Sequence, residues 1–232
     1  MLPTDPSSCP DYLLCTEEQV SNLIAALDCS KATGTDAISA RMLKGTLSSI
    51  LPSLTNLFNL SIRTGTLPQS WKCARVVPIP KKGDLSNPAN YRPISILPIL
   101  SKILERHIHG IISDHLKVNA PISDQQWGFS PGKSTTFALL SFTHDCSEAL
   151  DNGKEVAAIF FDLSKAFDSV PHLPLLRKLV DIHLDPYVIN WVCSYLSDRE
   201  QFGVVNGAQS PVLPVVAGVP PCRALCWAPY FF

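Results

Sequence analysis

The stretch 156-VAAIFFDLSKAFD-168 carries the most informative pattern in this chain. Its first six residues are apolar, the seventh is Asp162, and a second carboxylate, Asp168, follows six residues later. The apolar run is short, contains β-branched and aromatic residues, and comes directly after a turn pair, Asn152-Gly153, and two charged residues. These features favour a buried strand over a helix. We therefore expect Asp162 to lie where a core strand reaches the surface.

A carboxylate at the end of a strand has two interpretations. Asp commonly caps the turn that follows, because its side-chain oxygen accepts hydrogen bonds from nearby backbone amides. It can also hold Mg²⁺, since this cation takes oxygen ligands and retains sites for water or substrate phosphate. The local pattern around Asp162 leaves both interpretations open.

The longer string FFDLSKAFDSVPH, residues 160–172, resembles motif A of reverse transcriptases, in the form found in LINE-type (non-LTR) retrotransposons. The resemblance implies RNA-directed DNA polymerisation, with Mg²⁺ as cofactor and with an RNA template, a DNA primer and dNTPs as partners. It implies that Asp162 is a catalytic metal ligand and that Phe167 is the gate residue that clashes with a ribose 2′-OH. Leu163 would contact the nucleotide, and Asp168 would support the loop.

Two further stretches resemble the fingers region of the same enzymes, namely residues 71–108 and the shorter string KATGTDAISARMLK, residues 31–44. The whole chain has a net charge of −1, but residues 63–133 carry ten basic and four acidic side chains. This basic middle is the plausible phosphate-facing surface. We expect Lys81, Lys82 and Arg92 to bind nucleic acid, although a basic stretch can also be an ordinary solvated surface.

The string QWGFSPGKST, residues 126–135, has two interpretations. It differs from a Walker A P-loop because Gly128 and Gly132 enclose three residues instead of four, and no strand pattern precedes it. It resembles the second fingers motif of reverse transcriptases, in which Lys133 would contact the incoming triphosphate. Ser130 stands where that family has arginine. Loss of one charge-assisted phosphate contact weakens nucleotide binding by roughly 1.5–3 kcal/mol if nothing replaces it.

Periodicity and capping residues predict the remaining elements. Thr16 to Gln19 has the pattern of a capping box, and an apolar helical repeat ends at Gly65. Asn206-Gly207 indicates a hairpin. The predicted helices are 17–28, 42–64, one that starts at Pro98, 134–150, 172–181 and 186–196; the predicted strands are 73–79, the run after Asn90, 156–161 and the two arms of the hairpin within 201–216.

Composition limits the class of protein. Hydrophobic residues make up 46% of the chain and the mean hydropathy is +0.14, which argues against disorder. The sequence has no apolar run of roughly 18 residues, and its start lacks a basic stretch followed by an apolar one. We therefore expect an intracellular protein, in nucleus or cytoplasm, that is neither secreted nor membrane-bound. The eight cysteines contain no CxxC pair, which supports neither zinc nor a disulfide framework.

The resemblance implies an α/β chain with a right-hand polymerase fold, consisting of fingers and an incomplete palm without a thumb. Residues 1–15 would be a linker or a torn N-terminus, 16–150 a fingers-like region and 151–220 a partial palm. Residues 221–232 would be an aberrant tail, because reverse transcriptases continue there with a Gln-Gly-Ser-Val-Leu-Gly-Pro-Leu-Leu-Phe run. A one-base frameshift in one possible coding of that run produces the nine residues from Arg223 to Phe231.

The same enzymes supply two metal-binding carboxylates from a Tyr-x-Asp-Asp hairpin, and the 232 residues contain no such motif. Two-metal phosphoryl transfer needs carboxylates from several positions. We therefore expect the chain to be inactive alone. Two alternatives stay open: a non-catalytic module that binds RNA or an RNA–DNA hybrid, and a non-functional translated relic. A P-loop NTPase is a more distant alternative.

Overall fold

Helices and one mixed β-sheet make up the chain in the computed structural model, which describes residue 2 and residues 4–119, 123–130, 132–164 and 166–219. The prediction for 221–232 lies outside the described residues. A mixed α/β class is confirmed. The helices are α1 (Glu17–Ala25), α2 (Ala40–Thr64), α3 (Ile99–Asn119), α4 (Thr135–Asp151), α5 (His172–Asp181) and α6 (Pro186–Leu196). The strands are β1 (Cys73–Pro80), β2 (Tyr91–Ile96), β3 (Arg199–Val205), β4 (Ala208–Gln209) and β5 (Leu213–Val215).

The ends of the helices follow from local capping chemistry. Thr16 and Gln19 form the predicted capping box at the start of α1, which ends at Ala25, three residues before the predicted end. Ser134 accepts a hydrogen bond from the backbone amide of Phe137 at the start of α4. Gly65 ends α2 in the left-handed conformation, with a φ of 59°. A side chain there would be strained, and its Cβ would lie 2.8 Å from the Cβ of Asn190 in α6.

The sheet joins two hairpins that are distant in sequence. Strand β1 pairs antiparallel with β2, from Arg75 opposite Ile96 to Pro80 opposite Tyr91. It also pairs in parallel with β3, over four residues that start at Cys73 opposite Glu200. Strand β3 turns at Asn206-Gly207 into β4 and pairs antiparallel with β5 on the same side. The hairpin predicted at Asn206-Gly207 is therefore confirmed.

Helix α6 lies at the centre of the hydrophobic core, and α1, α2, α3 and α5 contribute buried side chains to it. The Trp191 and Tyr195 rings stack, with centroids 5.3 Å apart. The Trp191 indole Nε1 donates a hydrogen bond to Ser61 Oγ over 3.1 Å, which joins α6 to α2. Across the described ranges, no helix combines the length and the apolar character that crossing a membrane would need.

The predicted strand at residues 156–161 is wrong. The structure gives residues 154–163 no regular secondary structure, and Ile159, Phe160 and Phe161 are 78%, 83% and 89% exposed. A strand forms only where a neighbouring strand satisfies its backbone groups. The two sides of β3 are already paired, by β1 on one side and by β4 and β5 on the other. Among the described residues no strand pairs with this run, so its apolar character does not bury it.

Candidate nucleotide and nucleic-acid site

A cleft of about 610 Å³ lies between the β1–β2 hairpin and the loop that follows the 156–161 run. The hairpin contributes Lys81 and Arg92, and the loop contributes Phe167 and Asp168. Two of the predicted nucleic-acid-binding cations therefore line the same cleft as the predicted ribose gate. The other lining residues are apolar or aromatic: Pro78, Pro88, Tyr91, Pro93, Ile94 and Ala166.

The turn that carries the cations is held by its own hydrogen bonds. The Lys81 amide donates to the Asn90 carbonyl over 2.7 Å, and the Asn90 side-chain amide donates to the Asp84 carbonyl over 2.8 Å. The backbone amide of Ser86 donates to the Asp84 carboxylate, and this bond lowers the pKa of Asp84 below its usual value. Lys82 lies exposed in the turn and does not line the cleft.

The 126–134 loop lies beside the gate residue. Phe129 has a left-handed backbone, with a φ of 61°, and its ring meets the Phe167 ring edge to face with centroids 5.7 Å apart. The Lys133 ammonium donates to the Asp124 carbonyl over 2.5 Å and sits 5.4 Å from the centre of the Trp127 ring. Lys133 is therefore folded onto its own loop and would have to leave these partners to contact a triphosphate.

Two backbone hydrogen bonds join the 166–170 loop to the residues after β5. The Val219 amide donates to the Phe167 carbonyl over 2.9 Å, and the Gly218 amide donates to the Val170 carbonyl over 2.9 Å. Gly218 has a φ of 87°, and a Cβ there would lie 2.7 Å from the Asp168 carbonyl oxygen. The close approach of these two segments therefore requires glycine, and it fixes the position of Phe167 in the cleft.

Asp162 and Leu163 lie outside the cleft. Both side chains are exposed, in the segment without regular structure that precedes the 166–170 loop. Over the ranges that the structure describes, no group of three or more His, Cys, Asp or Glu side chains could hold a metal ion. Asp162 is thus an accessible carboxylate that can offer oxygen ligands to Mg²⁺, but the described residues do not add two further ligands of these types beside it.

Sequence reasoning missed two residues that line the cleft, Tyr91 and Ile94, and one that contacts its ribose gate, Phe129. The sequence pattern assigns Tyr91 and Ile94 only to a strand, and Phe129 only to a glycine-rich motif. Tyr91 lines the cleft and donates its hydroxyl hydrogen to the Leu85 carbonyl over 2.9 Å. An aromatic residue directly before a candidate phosphate-binding arginine was the available signal, because aromatic faces beside cations are typical of nucleic-acid grooves.

An α/β domain with a cationic hairpin and an aromatic loop on one cleft has the features of a nucleotide- or nucleic-acid-binding protein. The chain belongs to the reverse transcriptase family. It matches the family described as reverse transcriptase (RNA-dependent DNA polymerase) over residues 79–221, and this match and the relatives described next confirm the resemblance to non-LTR elements.

Several curated proteins are similar to most of the chain. The RNA-directed DNA polymerase from mobile element jockey of Drosophila melanogaster is 34% identical over 206 residues, which cover 88% of this chain and 22% of that protein. The retrovirus-related Pol polyprotein from type-1 retrotransposable element R2 of Popillia japonica is 30% identical over 165 residues, which cover 71% of this chain and 23% of that protein. The chain thus spans about a fifth of the length of the curated relatives it matches.

Proposed function

We propose that the chain is the nucleotide-facing part of a retrotransposon RNA-directed DNA polymerase, with residues 16–150 as fingers and 151–220 as part of a palm. Its ligands are an RNA template, a DNA primer and dNTPs. The observation that carries this proposal is the cleft, which Lys81, Arg92 and Phe167 line together. Relatives whose names describe RNA-directed DNA polymerases support the same assignment.

Each predicted site residue has a role in this proposal. Lys81, Lys82 and Arg92 neutralise phosphates of the template or of the incoming nucleotide. Such contacts to phosphate groups do not depend on the base sequence of the nucleic acid. Phe167 occupies the space beside the sugar and excludes a 2′-OH, and Leu163 lies next to the metal ligand and contacts the nucleotide. Lys133 contacts the triphosphate after it releases the Asp124 carbonyl.

Asp162 is the residue of this chain that would hold Mg²⁺. The fit is partial, because the carboxylate is accessible but does not belong to a cluster of ligands within the described ranges. Bound there, the ion would neutralise substrate phosphates. Aligned phosphoryl transfer needs several carboxylates in fixed positions. We therefore propose that the 232-residue chain binds nucleic acid but does not extend a primer.

A non-catalytic binding module is the second candidate, and the hairpin favours it. The turn between β1 and β2 keeps its shape through its own bonds, so its cations keep their positions whether or not the metal site is complete. The relic alternative rests on residues 221–232, which lie outside the described part of the chain.

Binding of a labelled RNA–DNA hybrid, followed by fluorescence anisotropy, tests the proposed function. We expect Lys81→Glu and Arg92→Glu each to weaken binding about tenfold, because each replaces a phosphate contact with a repulsion. Arg41→Glu is the matched control: it makes the same charge change at an exposed position of α2 outside the cleft. Equal affinity for all four proteins would contradict the proposal, as would an equal loss in the control.

A further inference from the structure

The peptide group between Gly218 and Val219 is hydrogen-bonded on both sides. Its carbonyl, on Gly218, accepts a hydrogen bond from His172 Nε2 over 2.8 Å. Its amide, on Val219, donates to the Phe167 carbonyl over 2.9 Å. This peptide bond is trans, so its carbonyl and its amide point in opposite directions. His172 and Phe167 therefore hold one planar group from its two sides.

The two hydrogen bonds strengthen each other. A carbonyl that accepts a hydrogen bond makes the amide of the same peptide group a stronger donor, because the bond polarises the whole group. Loss of the bond from His172 therefore weakens the bond to the Phe167 carbonyl. The Gly218 amide belongs to the preceding peptide group and donates to the Val170 carbonyl over 2.9 Å, which keeps that end of the segment in place. A change at His172 thus acts first on Phe167.

Helix α5 gives the His172 donor a defined position. His172 is the first residue of this helix, and the side chains of Leu175 and Leu179 bury the helix in the core. The imidazole is half-buried. A donor on a packed helix is held more precisely than a donor on a loop. The position of the Gly218 carbonyl is therefore fixed relative to the core.

The residues next to this peptide group form part of the cleft. Phe167 and Asp168 line the cleft, and Asp168 also lines a second cavity, of about 420 Å³, together with Gly218 and Val219. The contact thus lies between two cavities, and a change in its position alters the space beside the Phe167 ring. His172 lines neither cavity, so it acts on that space through the peptide group rather than by contact.

We propose that His172 is a positioning residue for nucleotide selection. By holding the Gly218 carbonyl, it sets the position of Phe167 and thereby the discrimination between 2′-deoxyribonucleotides and ribonucleotides. Exclusion of one hydroxyl group requires close packing, because a loosely held ring leaves room for the extra oxygen atom. The inference rests on the proposed function, in which Phe167 is the ribose gate.

Four substitutions separate positioning from stability. His172→Leu removes the donor and keeps an apolar side chain of similar size. The amide nitrogen of glutamine lies as many bonds from Cα as histidine Nε2, and that of asparagine lies one bond closer, so His172→Gln should keep the bond and His172→Asn should lose it. His115→Leu is the matched control: His115 is also half-buried and donates from Nε2 to the Ile182 carbonyl over 2.8 Å, but it does not line the cleft.

Hydrogen exchange followed by NMR tests the positioning step without a nucleotide. We expect the Val219 amide to exchange about tenfold faster in His172→Leu and in His172→Asn, because its bond to the Phe167 carbonyl opens more often. His172→Gln and His115→Leu should leave its rate close to that of the wild-type chain. Amides within α6 report in the same spectra whether the core stays folded. An unchanged Val219 rate in His172→Leu and His172→Asn overturns the proposal.

Nucleotide binding tests the consequence for selection. The chain is bound to an RNA–DNA hybrid whose next template base is guanine, and dCTP or CTP displaces a fluorescent dCTP analogue. We expect the wild-type chain to prefer dCTP and Phe167→Ala to abolish this preference. His172→Leu and His172→Asn should lower the preference about fivefold, because one hydrogen bond fewer holds the ring. His172→Gln and His115→Leu should keep the wild-type preference.

The variants distinguish the two ways in which these expectations fail. If Phe167→Ala abolishes the preference but His172→Leu and His172→Asn keep it, the proposed function stands and the inference about His172 is wrong. If the wild-type chain has no preference, or Phe167→Ala retains it, the gate role in the proposed function fails and the inference fails with it. If His115→Leu lowers the preference as much as His172→Leu, the effect is a general loss of stability and His172 has no positioning role.

Discussion

The ring of Phe129 meets the ring of Phe167 edge to face, with centroids 5.7 Å apart, and thereby joins two loops that are 38 positions apart in the sequence. One loop carries the predicted triphosphate-binding lysine, and the other carries the predicted ribose gate. The contact places the predicted ribose gate beside the loop that carries the predicted triphosphate-binding lysine. Phe167 also packs against the main core, so the pair connects a surface loop to a fixed part of the fold.

A double-mutant cycle of Phe129→Leu and Phe167→Leu should reveal a coupling free energy of about 0.5–1 kcal/mol, because edge-to-face rings attract beyond the area they bury. Urea denaturation of the four proteins measures it. The Phe142–Phe160 pair is the control: its centroids are 5.9 Å apart, but Phe160 is 83% exposed, so we expect a smaller coupling. A coupling of zero at Phe129–Phe167 would mean that the loops are not joined in solution.

Ser61→Ala should lower the free energy of unfolding by about 1–3 kcal/mol. The Ser61 hydroxyl donates to the Thr66 carbonyl over 2.7 Å and accepts a bond from the Trp191 indole over 3.1 Å, so its loss leaves two groups without this partner. Ser53→Ala, at an exposed position of the same helix, should change stability little. Equal effects of the two substitutions, compared by urea denaturation, would show that the buried hydroxyl contributes nothing specific.

Some elements of the fold depend only on residues that are close together in the sequence. The Thr16 capping box and the Asn206-Gly207 hairpin involve neighbours in sequence, so residue types alone predicted them. The 156–161 run has the composition of a strand, but a strand depends on a partner from elsewhere in the chain. The apolar periodicity of the run does not indicate whether such a partner strand is present.

The candidate site also has residues that the sequence predicted and a contact that it could not predict. The charge distribution of residues 63–133 indicated Lys81 and Arg92, the resemblance indicated Phe167, and all three line one cleft. The contact between Phe129 and Phe167 could not be predicted, because it depends on how two loops meet in space. The roles of all the predicted site residues stay predictions, namely those of Lys81, Lys82, Arg92, Lys133, Asp162, Leu163 and Phe167.

Stability should fall as the pH is lowered from about 7.5 to 5.5. Burial lowers the pKa of His107 and His109 below their usual 6.5, and Arg106 lowers that of His109 further. In this pH range the two histidines bind more protons in the unfolded chain than in the folded chain. Lowering the pH therefore stabilises the unfolded state relative to the folded state. The free energy of unfolding should change by at most about 1.4 kcal/mol per pH unit for each histidine.

His107→Gln identifies the source of this slope. The His107 Nε2 donates to the Leu13 carbonyl over 2.8 Å, and a glutamine amide is also a donor. The variant should lose the contribution of His107 while the contribution of His109 remains. Carboxyl groups such as Asp84, whose pKa lies below 3.8, lose their contribution only in more acid solution. Unfolding free energies that do not change between about pH 7.5 and 5.5 would refute the prediction.

Affinity for an RNA–DNA hybrid should fall steeply with salt, because cations that bind phosphates release condensed counterions. Lys81→Gln and Arg92→Gln should each reduce the slope of log K against log salt concentration by about one. Arg41→Gln, outside the cleft, should leave the slope unchanged. A slope close to zero in the wild-type chain would mean that the cationic hairpin does not contact the phosphate backbone of the hybrid.

Primer extension by the 232-residue chain, with template, dNTPs and Mg²⁺, should be undetectable. Asp162 is exposed and stands outside any group of three potential metal ligands in the described ranges, and a single carboxylate holds Mg²⁺ too weakly to align a 3′-OH with an α-phosphate. Incorporation that requires the template and disappears in Asp162→Asn would contradict this expectation. Incorporation that persists in Asp162→Asn would instead indicate a contaminating polymerase, because the resemblance assigns the metal to this residue.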